Sequence, residues 1–159
     1  MFNLIELFQN LKNLFLDRAC VNSNENIIAI DWSKAASGQY YQMAANTRVV
    51  GRMLGCIINR LKADLKLDPN LVYLIGHSLG PYIIAYGGRM VNPRCKQAVL
   101  TDPGGNGFEE FQVLYPEAGV LPSDAQCVLV IHTFSNYKVV AGMGGLLKFN
   151  KVKFILIIH

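Results

Sequence analysis

Apolar residues fall into two rhythms along this chain. In short blocks they run almost without interruption, at Asn26–Ile30, Val72–Ile75, Lys96–Thr101 and Gln126–Ile131. Blocks of that length, rich in β-branched residues and bounded by Asp, Pro or Gly, predict buried strands. Between them apolar residues recur at three- and four-residue spacing. Ala44–Leu65 is predicted as a long helix with Val49, Val50, Met53, Leu54, Ile57, Ile58 and Leu61 on its buried side. Ile83–Met90 is predicted as a shorter buried helix with small residues at Ala85, Gly87 and Gly88. Those two glycines cost roughly 1 kcal/mol each in helix propensity, which is reasonable where a helix passes close to another backbone. Residues Leu4, Leu7, Phe8, Leu11, Leu14 and Phe15 repeat at helical spacing and predict an amphipathic N-terminal helix. Strands separated by helices long enough to cross over imply a mostly parallel sheet, an α/β fold.

The junction after the second block carries the chemistry. Leu71-Val-Tyr-Leu-Ile75 runs directly into Gly76-His77-Ser78-Leu79-Gly80, a Gly-X-Ser-X-Gly turn between a predicted strand and a predicted helix. Such a turn raises the serine hydroxyl above the sheet, where it can attack an ester carbonyl, and a side chain at Gly76 or Gly80 would crowd the bend. A tight structural turn would explain the glycines alone; the strand and helix on either side favour a nucleophile elbow.

Catalytic groups in such sheets lie beyond the carboxyl ends of the strands. Asp31, Ser78, Asp102 and His132 all stand there. Asp31 reads as an ordinary strand-exit residue. Asp102 follows the strand after the elbow helix, where the acid of a Ser-Asp-His series can stand, although Asp-Pro-Gly is also common turn chemistry. Of the three histidines, His77 is inside the elbow and His159 ends the chain. By position only His132 is a candidate to reach Ser78, and it reads better as a structural strand-end imidazole.

Composition narrows the remaining classes. At 159 residues, 52% hydrophobic and 16% charged, the chain is long enough for one cored domain and is not disordered. A net charge of +4 without a Lys/Arg run gives no nucleic-acid surface. Cys20, Cys56, Cys95 and Cys127 form no CxxC pair, so no zinc site is expected; two disulfides or buried free thiols remain open, with Cys56 and Cys127 in apolar surroundings. The first residues lack the basic start and cleavage site of a signal peptide, and no transmembrane segment is expected.

Five ordered stretches resemble one family. Asn26-Ile-Ile-Ala-Ile-Asp31-Trp32, Ala44-Ala-Asn-Thr-Arg-Val-Val-Gly51, Gly76-His-Ser-Leu-Gly80, Thr101-Asp102-Pro103, and Pro122-Ser-Asp-Ala125 with Val130-Ile-His-Thr133 are similar to the catalytic domain of the pancreatic-type lipases. The second stretch resembles the insect branch, which includes phospholipase A1. The resemblance implies a secreted α/β-hydrolase that acts on lipid esters, triacylglycerols or the sn-1 chain of phospholipids, at a lipid–water interface. It makes Ser78 the nucleophile, Asp102 the triad acid and the backbone N–H of Leu79 one oxyanion donor, while His132 does not correspond to the family's catalytic histidine. No cofactor is implied. Of the carboxylates with which the family holds calcium, only Asp124 has a counterpart, so no metal is assigned.

The resemblance covers residues 26–145. Residues 1–25 are expected to be an N-terminal helix and connection, and residues 146–159 an apolar tail that matches nothing. The family's His-Gly-Phe strand, its lid, its catalytic histidine and its C-terminal domain find no match, so the α/β-hydrolase domain is expected to be truncated at both ends. Three local departures are Pro81 for alanine, Thr101 for leucine and Gly104 for alanine. Pro81 is acceptable because a helix's first turn has a spare N–H. The expectation is an incomplete, weakly active or inactive copy of a lipid-ester hydrolase. The alternative is a non-catalytic lipase-like module that binds lipid or protein; a plain α/β domain with an accidental elbow fits the other matches poorly.

Overall fold

The computed structural model describes residues 13, 26–104, 108, 115–132 and 153–158. Among these, β1 (Asn26–Asp31), β2 (Val72–His77), β3 (Gln97–Thr101), β4 (Cys127–Ile131) and β5 (Lys153–Ile158) form one sheet in the spatial order β1-β5-β2-β3-β4. The pairs β2–β3 and β3–β4 are parallel, and β5 lies antiparallel between β1 and β2. Since β1 and β2 both oppose β5, the other four strands run one way and the sheet is mostly parallel. Within residues 146–159, Lys153–Ile158 is therefore an inner strand of the sheet. Apart from residue 13, the expected N-terminal helix lies outside the described residues, and so do Cys20, His159 and all but the first three residues of the Asp102–Gly107 loop.

Among the described residues two α-helices pack together against the sheet. The first, α1, covers Tyr40–Leu65, starting four residues before the sequence expectation. It ends because Lys66 turns left-handed (φ 60°), and the Asp68-Pro69-Asn70 turn, closed by Asn70 N–H donating to Asp68 Oδ1 at 2.9 Å, delivers the chain to β2. The second, α2, covers Gly80–Gly88 with Pro81 in its first turn, where its missing donor costs nothing.

Which face of α1 is buried bears out the sequence expectation at Leu54 and Ile58 and corrects it at Val49, Met53 and Ile57. Met43, Ala44, Thr47, Gly51, Leu54, Gly55 and Ile58 are buried, whereas Val49 and Met53 are each 60% exposed and Ile57 41%. The reason is close approach. A Cβ on Gly51 would stand 2.8 Å from Ile83 O, and one on Gly87 2.8 Å from Gly51 O. The helices touch backbone to backbone, so α1 must turn its small residues inward and leave larger apolar ones outside. Thr47 is tolerated there because its hydroxyl donates to Ala44 O at 2.6 Å.

The core lies between these helices and the sheet. Leu54, Ile58, Leu74, Leu79, Ile83, Ile84 and Leu100 are essentially inaccessible. Burial of each contributes about 1.5–3 kcal/mol. The thiols also differ from expectation: Cys56, Cys95 and Cys127 are free, but only Cys95 is buried. Cys56 is on the outward side of α1, and Cys127 opens β4, the last strand of the sheet. Burial pushes the Cys95 thiol up from 9.0 to about 11, a rise partly opposed by its own backbone hydrogen bond and by Arg94.

Candidate active site at the strand ends

The register aligns the site. His77 pairs with Thr101 and Thr101 with Ile131, so the next residues, Ser78, Asp102 and His132, stand side by side beyond β2, β3 and β4. Neighbouring strands are spaced by about 4.8 Å. Ser78 and Asp102 are therefore adjacent, while the His132 backbone is two strand positions from Ser78, roughly 10 Å away.

Ser78 has φ 60°, the left-handed conformation that side chains other than glycine adopt at a cost of about 1–2 kcal/mol. Packing holds it there. A Cβ on Gly76 would meet Ile84 Cδ1 at 2.7 Å and the Gly80 carbonyl carbon at 2.8 Å, so the bend has no room for any other residue. Ser78 N–H donates to Thr101 O at 3.0 Å, and Gly104 N–H donates to Ser78 O at 3.0 Å. The serine backbone is thus tied on both sides to the chain carrying Asp102. Leu79 follows as the N-cap of α2, so its N–H belongs to the group of amides that a helix N-terminus leaves without intrahelical acceptors. An oxyanion formed at Ser78 would meet the positive end of that helix.

Asp102 is also left-handed (φ 43°), and its N–H donates to Ile131 O at 2.8 Å. The loop after it is fixed by Tyr82, whose hydroxyl donates to Gly104 O at 2.6 Å and whose ring stacks on Phe108. Ser78 is only 6% exposed. His77 turns toward β3, with Nδ1 3.1 Å from Thr101 Oγ1. Asp31 accepts from Ser33 N–H at 2.9 Å, as a strand-exit residue does. Buried Trp32, next beyond β1, keeps an indole N–H with no partner among the described residues.

Asp124 does not fit a cation site. It is 1% exposed, and both of its oxygens face the Arg89 guanidinium, with Nε–Oδ1 at 2.6 Å and Nη2–Oδ2 at 3.1 Å. Oδ2 also accepts from Leu121 N–H at 2.7 Å, and Arg89 donates further to the carbonyls of Glu117 and Gly119. A fixed guanidinium already neutralises the carboxylate. Among the described residues no three His, Cys, Asp or Glu side chains cluster to hold a metal. Sequence reasoning missed Arg89 and Tyr82, whose partners lie 35 and 22 positions away and leave no local signal.

Comparison with known proteins adds the lineage. A family profile described as Lipase matches residues 7–155. Pancreatic lipase-related protein 2 of Rattus norvegicus is 36% identical over 110 residues, 69% of this chain and 23% of that protein. Pancreatic triacylglycerol lipase of Cavia porcellus is 38% identical over 112 residues, 70% of this chain and 23% of that protein. Lipoprotein lipase of Sus scrofa is 32% identical over 114 residues, again 70% of this chain and 23% of the relative. The chain thus spans about a quarter of the length of these relatives.

Proposed function

The chain belongs to the lipase family, and from that premise we propose that it is a carboxylic-ester hydrolase acting on lipid esters through Ser78. Asp102 is the triad acid and the Leu79 N–H is one oxyanion donor. The observation that carries this reading is the left-handed Ser78 between β2 and α2, with its backbone hydrogen-bonded to both flanks of Asp102. In the reaction Ser78 Oγ attacks the ester carbonyl and gives its proton to solvent or an added base, and the carbonyl oxygen becomes an anion beside the helix N-terminus. The ester C–O bond then breaks, the alcohol leaves carrying a proton from that base or solvent, and water adds to the acyl-serine, releasing the carboxylic acid and restoring the Ser78 hydroxyl.

Turnover by this chain is weak, because none of the described histidines is set to take the serine proton. His77 is directed at Thr101, and the His132 backbone is roughly 10 Å from that of Ser78, which supports reading His132 as a structural residue. Removing the base costs about a million-fold in kcat in a well-studied protease. Triacylglycerols and the sn-1 ester of phospholipids, as for a phospholipase A1, are the substrate classes the resemblance supplies, and an extracellular location is part of the same proposal, supported by family resemblance. Among the described residues no helix is long and apolar enough to cross a membrane.

The test is chemical rescue. Slow hydrolysis of a soluble carboxylic ester is expected, raised by added imidazole and abolished in both conditions by Ser78→Ala. Equal rates in wild type and Ser78→Ala contradict the assignment. One observation favours a second reading, a non-catalytic lipid-binding module: Ser78 is nearly buried. Binding of the ester with no imidazole-dependent turnover supports that reading.

A further inference from the structure

β4 is an outer strand of the sheet, and among the described residues it has a neighbour, β3, on one side alone. Its hydrogen bonds fix which of its backbone groups remain. Cys127 N–H donates to Lys96 O at 3.2 Å, and Ile131 O accepts from Asp102 N–H at 2.8 Å. Cys127 is level with Gln97 and Ile131 with Thr101. These are the bonds of a parallel ladder in which alternate residues of β4, Cys127, Leu129 and Ile131, turn both backbone groups to β3. The N–H and C=O of Val128 and Val130 therefore face the open edge.

The side chains leave that edge open as well. Successive side chains point to opposite faces of a strand, yet the consecutive Leu129, Val130 and Ile131 are all exposed, so neither face is covered. From Ala125 to Thr133 there is no Asp, Glu, Lys, Arg or Pro. The charges and prolines that blunt an edge strand are thus missing from this one.

Such an edge is complementary to itself. In an antiparallel pair centred on Leu129, Val128 of one copy meets Val130 of the other, and the two exchange both N–H···O bonds. The outward groups of Val128 and Val130 are then all satisfied. Leu129 meets Leu129, and Cys127 meets Ile131, at the closer positions without hydrogen bonds. Every cross-strand pair is apolar, and none sets like charges together. The contact is isologous and closes at two chains.

We propose that two copies of this chain pair through β4, antiparallel and centred on Leu129, joining their sheets into one. The assembly does not depend on Ser78 being reactive. A five-residue strand buries much less than the roughly 800 Å² per partner of a standard interface, so the dimer is a weak one.

The test uses the whole chain. In sedimentation equilibrium from about 1 μM to 1 mM, the mean mass should rise from 17.7 kDa toward twice that value and level there. Leu129→Lys, which sets two ammonium groups opposite each other, should weaken the dimer about tenfold. Met53→Lys, on the outer face of α1, should change nothing. Disulfides mapped by mass spectrometry read the register. In a Cys127→Ser background, Leu129→Cys should oxidise to a 129–129 link between chains, because the Cα atoms of such a pair stand about 4.5 Å apart. Val128→Cys in the same background lies about 7–8 Å from its copy and should not link to itself. If Leu129→Cys does not fold, Ile131→Cys gives the same reading by linking to the native Cys127 of the second copy. A mass that stays at one chain up to 1 mM, growth past two chains, a dimer indifferent to Leu129→Lys, or self-linkage at 128 as strong as at 129 overturns the proposal.

Discussion

The elbow and the β4 edge are neighbours built in opposite ways. Around Ser78 every constraint is doubled: glycines fill contacts that admit no Cβ, α2 touches α1 backbone to backbone, and residues 78–85 are all buried. Along β4, Leu129, Val130 and Ile131 are 40–45% exposed, and the strand has a neighbour on one side alone among the described residues. The contrast teaches where strain and access belong. A serine with positive φ persists only where packing overdetermines it, whereas an edge strand is where packing has left surface open.

The two regions are tied by Arg89, at the end of α2, and Asp124, just before β4. Breaking that tie should have the largest effect on stability. Asp124→Ala leaves a mostly buried guanidinium unpaired and is expected to lower unfolding free energy by about 3–5 kcal/mol, measured by urea denaturation. A loss below about 1 kcal/mol would show that the two regions are held together by something else.

The second effect belongs to the packed side. Cys95 is raised from 9.0 to about 11 by burial, so the folded protein keeps the thiol protonated where the unfolded chain already releases its proton. Its contribution is complete below pH 9 and is lost as pH rises from about 9 through 11, by roughly 2–3 kcal/mol. Alkaline denaturation of Cys95→Ala, which cannot ionise there, should lack this component. The smallest effect is at the open edge. Leu129→Lys, at a position 45% exposed, should alter stability by less than about 0.5 kcal/mol. By charging an unblunted edge strand it should also reduce self-association, read by light scattering.

The same contrast explains what the sequence could express. The strands β1 to β4 are legible because each is a compact apolar run ended by a turn residue. The elbow is legible because its glycines, serine and flanking elements are contiguous. The inward face of α1 is not, since hydrophobicity points to Val49, Met53 and Ile57 while the neighbouring backbone admits only the Thr47, Gly51 and Gly55 side. Lys153–Ile158 reads as apolar, but nothing local says that it enters between β1 and β2. The Arg89–Asp124 pair and the Tyr82–Gly104 bond join residues whose proximity the fold creates. Ser78 and Asp102 could be proposed from sequence because elbow and acid each carry a local signature; the distance of His132 from Ser78 needed the register.

Covalent labelling of the full chain with a long-chain alkyl fluorophosphonate, followed by peptide mass spectrometry, addresses the nucleophile directly. Slow labelling on Ser78 is expected, accelerated by imidazole and absent in Ser78→Ala. An adduct on another residue, or none at Ser78 after prolonged exposure, contradicts the account.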